Sequence, residues 1–231
     1  VIMTSEEDRS YYEVSQMDVV ESALPTCLIE ALCVEITQGV IHDLADCLMW
    51  LRMTFFYIRV AQNKAFYGFS KETEETPGSV VQRVCISAIN DLAEAKILNY
   101  DPESFMLTPL PEAFVMTRHV IKFKSMKMLM SMDKTWNLAQ LLRGLCFVEE
   151  AEKSVRRNEK KILNEMMKSI RFPLKSRVST PDLKAYVLVQ AAMNKAYIVD
   201  FSLRMEQVDI VDQLQRVLLA LQEHCIDRGK G

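Results

Sequence analysis

The sequence predicts a mainly α fold: a winged helix followed by a helical bundle, with a short β-hairpin wing and a residual N-terminal strand. Three observations carry this reading. Apolar residues recur at 3- and 4-residue spacing in three stretches before residue 99, the pattern of helices with one buried face. Two short extended pieces then flank Asp101-Pro102-Glu103, a turn by composition. From residue 112 onward amphipathic stripes return, punctuated by prolines at 173 and 181, as in a bundle of helices joined by tight exits.

Taken in order, Val1, Ile2, Met3 and Thr4 are apolar with no preceding turn and too few to pair with themselves, so they are expected to be a strand cut from a larger sheet and the chain a fragment. Pro25 sits where a helix can open, because its missing amide proton is unneeded in a first turn, and Ser22 is its expected cap. Leu28, Ile29, Leu32, Cys33 and Ile36 line that helix and Gly39 closes it. A second helix is expected from Asp43 to about Val60, with Leu44, Cys47, Leu48, Leu51, Phe55, Tyr57 and Ile58 inward, ended by Asn63 and Gly68. Residues 71–79 read as a polar surface loop. A third helix over 80–98 turns Val81, Val84, Cys85, Ala88, Ile89, Leu92 and Ala95 inward, and the pieces 96–100 and 104–108 form the hairpin. Three helices and a hairpin make a winged helix, assigned to residues 17–111 after a leading segment 1–16, with the bundle at 112–231.

The bundle opens rich in methionine: Met116, Met126, Met128, Met130 and Met132 read as pliable core filling. Trp136, Leu138, Leu141, Leu142, Leu145, Phe147 and Val148 are expected core, although an exposed Trp136 would stack a base. A basic helix follows over 155–177. Lys153, Arg156, Arg157, Lys160, Lys161 and Lys168 gather on and before it, Arg171, Lys175 and Arg177 follow at the turn, and Val155, Ile162, Leu163, Met166, Met167 and Ile170 supply its stripe. Pro173 makes Ile170-Arg171-Phe172-Pro173 a sharp exit. Thr180 is expected to cap a helix opening at Pro181 and continuing through Val187, Leu188, Ala191 and Ala192. Residues 200–203 turn the chain, and a last helix over 208–224 turns Val208, Val211, Leu214, Val217, Leu218 and Leu221 to one side.

With 231 residues, 49% of them hydrophobic, the chain can bury one sizeable core or two small ones. No run approaches the ~18 apolar residues of a membrane span, and the N-terminus lacks the basic head and apolar centre of a signal. The chain is expected to be soluble and intracellular. Its six cysteines form no CxxC pair and sit among apolar neighbours, which suits reduced, buried thiols. His42, His119 and His224 stand at no ligand spacing, so no metal is expected. The net charge of −3 conceals an acidic front, −11 over residues 1–115, and a basic middle, +9 over residues 116–184. Such asymmetry points to a polyanion for the basic part, with a solvated basic helix as the alternative.

Arg-Asn-Glu-Lys-Lys at 157–161, Ile-Arg-Phe-Pro-Leu-Lys-Ser-Arg at 170–177 and Leu-Val-Gln-Ala-Ala-Met at 188–193, with Trp-Leu-Arg-Met-Thr-Phe-Phe-Tyr-Ile-Arg-Val-Ala-Gln-Asn at 50–63 and Tyr-Gly-Phe at 67–69, carry a resemblance. The chain resembles the C-terminal part of a Ski-two-like superfamily-two helicase, a winged helix plus the start of the Sec-sixty-three-type helical domain, closest to the meiotic crossover DNA helicases. The resemblance implies that residues 1–16 close the second motor lobe and that the winged helix is a scaffold between motor and helical domain. It implies a role as an accessory DNA-channel region of an ATP-dependent DNA helicase of 3'-5' polarity acting in meiotic recombination in the nucleus. Its partners would be single-stranded or forked DNA and the motor lobes in cis, and the parent motor would hold ATP and Mg. The last helix resembles one that lines the strand, which singles out Arg216; Gln213, one turn earlier, is placed to face the same way. Departures are Leu32-Cys33-Val34, where the family has a histidine-leucine-asparagine stretch, and Lys64, where it has proline.

The candidate nucleic-acid-binding residues are therefore Lys153, Arg156, Arg157, Lys160, Lys161, Gln213 and Arg216. Arg118, Lys122, Lys124 and Lys127 extend the positive patch. Arg216 has a plainer reading as a surface cation balanced by Asp212 at i−4, a pair worth about 0.3–0.5 kcal/mol. The third helix offers Arg83 and Lys96 against Asp91 and Glu94 in an acidic surround, which disfavours base reading there. None of the six glycines lies in a phosphate loop and no acidic helicase box is present, so no catalytic residue is assigned. An RNA helicase of the same superfamily and a protein-interaction module remain open alternatives.

Overall fold

Helical stripes of this kind leave water only by facing one another, and the hairpin needs a helix layer beneath it. The computed structural model of the chain describes residues 3, 5–10, 20–68, 76–132 and 135–229. Among them it has ten bounded α-helices and one two-stranded antiparallel hairpin. The mainly α fold class is observed. The expected N-terminal strand falls outside the described residues except for Met3, which is not in a strand, and so does the loop over 71–75.

The front half comprises α1 (Leu28–Thr37), α2 (Leu44–Arg52), α3 (Phe55–Gln62), α4 (Pro77–Glu94), β1 (Leu98–Tyr100) and β2 (Leu107–Pro109). Pro25 lies in a 3₁₀ turn, Leu24–Thr26, whose Leu24 N–H donates to Ser22 Oγ at 3.3 Å, so α1 starts three residues later than Pro25 suggests. Gly39 closes α1 at φ +72°, letting the Val40 N–H reach the Glu35 carbonyl at 2.9 Å. The expected second helix is two. Thr54 is extended and its hydroxyl donates to the Leu51 carbonyl at 2.6 Å, which ends α2 and restarts the chain as α3. The restart buries Phe56 and Val60 and leaves Phe55 and Ile58, expected inside, in solvent. Thr76 Oγ1 accepts from the Ser79 N–H and Pro77 fills the first turn, so α4 begins ahead of Val80 and stops at Glu94. The hairpin pairs Leu98 with Pro109 and Tyr100 with Leu107, and its second strand lies later than expected because Asp101 holds the turn through Glu103 N–H and Ser104 Oγ.

The second half comprises α5 (Pro111–Arg118), α6 (Phe123–Ser131), α7 (Leu138–Leu145), α8 (Lys160–Ser169), α9 (Pro181–Met193) and α10 (Phe201–Gly229). Helix α5 packs on α1 of the front half and on α10 of the second, so one core runs through both. The Phe123 N–H donates to Glu30 across the same seam at 2.9 Å. The methionines behave as expected, Met116 and Met126 buried and the others packed partly against them. Trp136 is half-buried over Gly144, where an added methyl would lie 2.7 Å from its ring. Leu138 and Phe147, expected in the core, are exposed.

Three boundaries differ from expectation. The basic helix starts at Lys160, not near 155, because Glu159 folds back on Arg156. The last helix starts at Phe201, where Asp200 Oδ1 accepts from the Leu203 N–H at 2.9 Å, and its 29 residues rise about 43 Å. Its buried row is Leu203, Ile210, Leu214, Val217, Leu221 and His224, which turns Val208 and Leu218 outward. The exit at Ile170 is as sharp as Pro173 requires, with ψ 162°. Thr180 precedes α9 without a side-chain capping bond. Cys33, Cys47, Cys85 and Cys146 are buried free thiols, with burial pushing Cys33 and Cys146 up to about 12, whereas Cys27 and Cys225 are exposed against expectation.

Lys184 is fully buried, and its Nζ meets Glu159 at 2.7 Å, Glu206 at 2.6 Å and the Ser154 carbonyl at 2.9 Å. Burial raises the Glu159 carboxyl, and the bonds from Lys184 and Arg156 outweigh it, so it titrates below its usual range. Lys184→Ala strands two carboxylates and is expected to destabilise by about 3–5 kcal/mol in urea unfolding, whereas Lys184→Met with Glu159→Gln should recover part of that loss. At the other end, Glu21 accepts from Arg59, Asn63 and Tyr67 at 2.8–3.1 Å. The Arg59 guanidinium, with Asn63 and Tyr67, holds the Glu21 carboxyl down at about 2. Its contribution is therefore complete above pH 4.5 and lost as pH falls toward 2. Glu21→Gln should flatten that part of the stability profile, so that unfolding curves of the two proteins differ at pH 7 and converge near pH 2.

Candidate nucleic-acid interface

Along α10, Glu206, Asp209, Gln213 and Arg216 follow one another at helical spacing and share a flank. The segment before α8 lies against it. Lys153 pairs with Asp209, and Arg156 pairs with Glu159 and, at 2.9 Å, with Glu206. Arg216 Nη2 donates to Gln213 Oε1 at 2.7 Å, so the two residues expected to face one way do, and Asp212 is not the partner of Arg216. Arg216 Nε is buried without a hydrogen-bond partner among the described residues. A buried N–H without an acceptor is costly.

Four of the seven candidates thus converge: Lys153, Arg156, Gln213 and Arg216. The other three do not join them. Arg157 is exposed in the turn before α8, and Lys160 and Lys161 are exposed on its first turn, with no ion pair to any of the three among the described residues. The convergence has a cause in the sequence. Glu159 is drawn into the core by Lys184, which pulls Arg156 down onto Glu206 and lays Lys153 beside Asp209. The Lys153 ammonium holds the Asp209 carboxyl below its usual range.

Part of the wider positive patch is compensated. Lys122 and Lys124 both reach Glu149, at 3.7 and 2.9 Å, and Arg118 pairs with Glu223 at 2.5 Å. Sequence reasoning missed Arg204, whose guanidinium lies 6.0 Å from the Tyr197 ring centre and 5.6 Å from that of Phe201, both rings exposed. The spacing Tyr197, Phe201, Arg204 was the available signal, and it was hidden by reading 200–203 as a turn. On the next flank of α10 lies an apolar hollow of about 470 Å³ between α7, α9 and α10, lined chiefly by leucines such as Leu141 and Leu218. Among the described residues no three His, Cys, Asp or Glu side chains converge as metal ligands, and no helix is long and apolar enough to cross a membrane. The chemistry on offer is non-covalent: fixed cations, an amide and an unsatisfied guanidinium N–H.

The Sec63 Brl domain family matches residues 109–231, and a Winged Helix-turn-helix domain family matches residues 21–101. The chain is 30% identical to the ATP-dependent DNA helicase MER3 homolog of Oryza sativa subsp. japonica over 98% of its own length and 20% of the relative's. It is 30% identical to the probable ATP-dependent DNA helicase HFM1 of Homo sapiens, over 94% of this chain and 16% of that protein. It is 25% identical to the pre-mRNA-splicing factor brr2 of Schizosaccharomyces pombe, over 99% of this chain and 11% of that protein. The chain spans about a fifth or less of the length of these curated relatives.

The Lys153–Asp209 pair can be checked on its own. Lys153→Met should return the Asp209 carboxyl toward its usual range in a carbon-13 NMR titration, and an unchanged titration would show that another group depresses it.

Proposed function

The chain belongs to the Sec63 Brl domain family, here joined to a winged helix, and from that premise we propose that it is an accessory channel wall of an ATP-dependent DNA helicase. In this reading residues 1–16 end a motor lobe, 17–111 are the winged-helix scaffold and 112–231 are the helical domain. The observation that carries it is the α10 flank, where Arg216 bonds to Gln213 and Lys153 and Arg156 follow along the helix on Asp209 and Glu206. Single-stranded DNA laid along it meets the Arg216 guanidinium, and its phosphates exchange with Asp209 and Glu206 for Lys153 and Arg156. Arg157, exposed in the turn before α8, extends the contact. Such binding tolerates any sequence and weakens with salt.

The relatives named ATP-dependent helicases support a motor acting in cis, which would hold ATP and Mg, since this chain's own sequence has no phosphate loop. The relatives named as DNA helicases favour DNA, and the proposal extends to 3'-5' unwinding in meiotic recombination in the nucleus. The similarity to brr2, a splicing factor by name, supports RNA as the second reading.

The test is fluorescence anisotropy of the chain with a labelled single-stranded DNA and the matched RNA across a salt series. The triple variant Lys153→Ala, Arg157→Glu, Arg216→Ala should bind DNA about tenfold or more weakly at low salt and shed about 0.7 of log–log salt slope per lost phosphate contact. Binding of neither nucleic acid at low salt, or an unaffected triple variant, rejects the channel-wall role. Preference for RNA selects the second reading.

A further inference from the structure

Beyond α10, the cations of α8 and the segment after it surround a separate hollow of about 480 Å³. Its rim carries Lys161, Lys168, Lys175 and Arg177, with Asn164 and the carboxylate of Glu165 among them. Two bonds build the frame. Asn164 Oδ1 accepts from the Val178 N–H at 2.9 Å, and the Leu174 N–H points to Met167 Sδ at 3.4 Å. Val178 and Met167 are buried, so the segment bearing Lys175 and Arg177 is fastened to the helix bearing Lys161 and Lys168. The backbone positions that carry the four cations are thus fixed relative to one another.

Several cations of this half have acidic partners. Lys122 and Lys124 have Glu149, Lys153 has Asp209, Arg156 has Glu206 and Arg143 has Asp182. Lys161, Lys168, Lys175 and Arg177 have no ion pair among the described residues, and the one acid on the rim, Glu165, leaves the hollow with an excess of three positive charges. Four uncompensated cations converging on a concavity raise the local potential and draw an anion. Lys160 and Arg171, exposed and likewise without ion pairs among the described residues, continue the charge beyond the rim, which suits an extended polyanion better than one small ion.

The lining also says which polyanion. It holds lysine, arginine, asparagine, glutamate, serine, methionine and leucine, and no aromatic ring. Single-strand sites pair cations with rings on which bases stack, whereas a duplex keeps its base faces stacked inside and is gripped chiefly through its backbone phosphates. The hollow is also separate from the α10 flank, because Leu163 and Met167 turn α8 inward to pack on α9 and leave Lys161 and Lys168 on the outer side. We propose that this hollow is a second nucleic-acid site, which grips the phosphodiester backbone of the double-stranded arm while the single strand lies along α10. The proposal rests on the reading of the chain as a nucleic-acid-binding part of a helicase.

The experiment compares the wild-type chain, the triple variant Lys168→Glu, Lys175→Glu, Arg177→Glu, and the variant Arg216→Ala with Gln213→Ala. Each is titrated with a labelled blunt duplex and a labelled single strand across a salt series, with circular dichroism to confirm the fold. These substitutions lie on exposed side chains, so the hollow variant should remain folded. The expected result is that it binds duplex about tenfold more weakly, with a log–log salt slope lower by about two to three, and binds single strand as the wild type does. The α10 variant should do the reverse. A hollow variant that binds duplex like the wild type, or a wild type that binds no duplex, overturns the proposal, and equal weakening on both nucleic acids overturns the assignment to duplex. An effect of the hollow variant alone leaves this site standing while the single-strand role of α10 falls. Inorganic tripolyphosphate is the last arm: if it raises the melting temperature of the wild type but not of the hollow variant while duplex fails to bind, the site takes free phosphates and the proposal is rejected.

Discussion

An ammonium group with no access to water must find oxygen on every side, and Lys184 satisfies that demand with Glu159, Glu206 and the Ser154 carbonyl. The partners come from two places: Ser154 and Glu159 from the irregular segment before α8, and Glu206 from the second turn of α10. One charge on α9 therefore fixes where a basic loop crosses the longest helix of the chain. Such a triad is poor value as bulk stabilisation, since burying ions offsets most of their attraction, but it excludes alternative registers. The flank of α10 inherits its geometry from that constraint.

The cations of the second half fall into two electrostatic classes as a result. Those near Lys184 face acids supplied by α10, because α10 must carry Glu206 to complete the triad and Asp209 follows one turn later. Those beyond the first turn of α8 point away from every acidic element except Glu165. A net charge of +9 over residues 116–184 thus describes two surfaces, one with internal counter-ions that an incoming anion must displace and one without. The first exchanges one ion pair for another, and the second adds a partner where none stood.

The fold was legible where burial follows period, and less so where one polar side chain redirects the backbone. Leu28, Leu32 and Ile36 and the proline stop at 173 declared themselves by spacing. The break at Thr54 did not, because a hydroxyl turned back on the Leu51 carbonyl looks in sequence like any threonine in an apolar run. Asp200 and Ser202 suggested a turn where Asp200 is in fact the cap of α10, and exposed Val208 and Leu218 then pulled the inward stripe off its true row. Of the site, the residue types were legible and the grouping was not. Arg156 and Glu206 are fifty positions apart, and Lys184 reads as an ordinary helix lysine until its surroundings are seen.

Helix α10 is gripped far from that flank. Near its C-terminal end Glu223 holds Arg118 and His119, and His224 faces Glu112, all on or capping the short helix α5 that also packs on the winged helix. From Glu223 back to Phe201 the helix rises about 33 Å, so a tilt of about 5° at the grip carries Phe201 about 3 Å. In mechanical terms α5 is a fulcrum, the winged helix bears on the short arm, and the long arm carries Glu206, Asp209 and the cations they hold. Because α10 also packs on α9 and on the turn Glu149–Ala151, such a tilt would carry those elements with it.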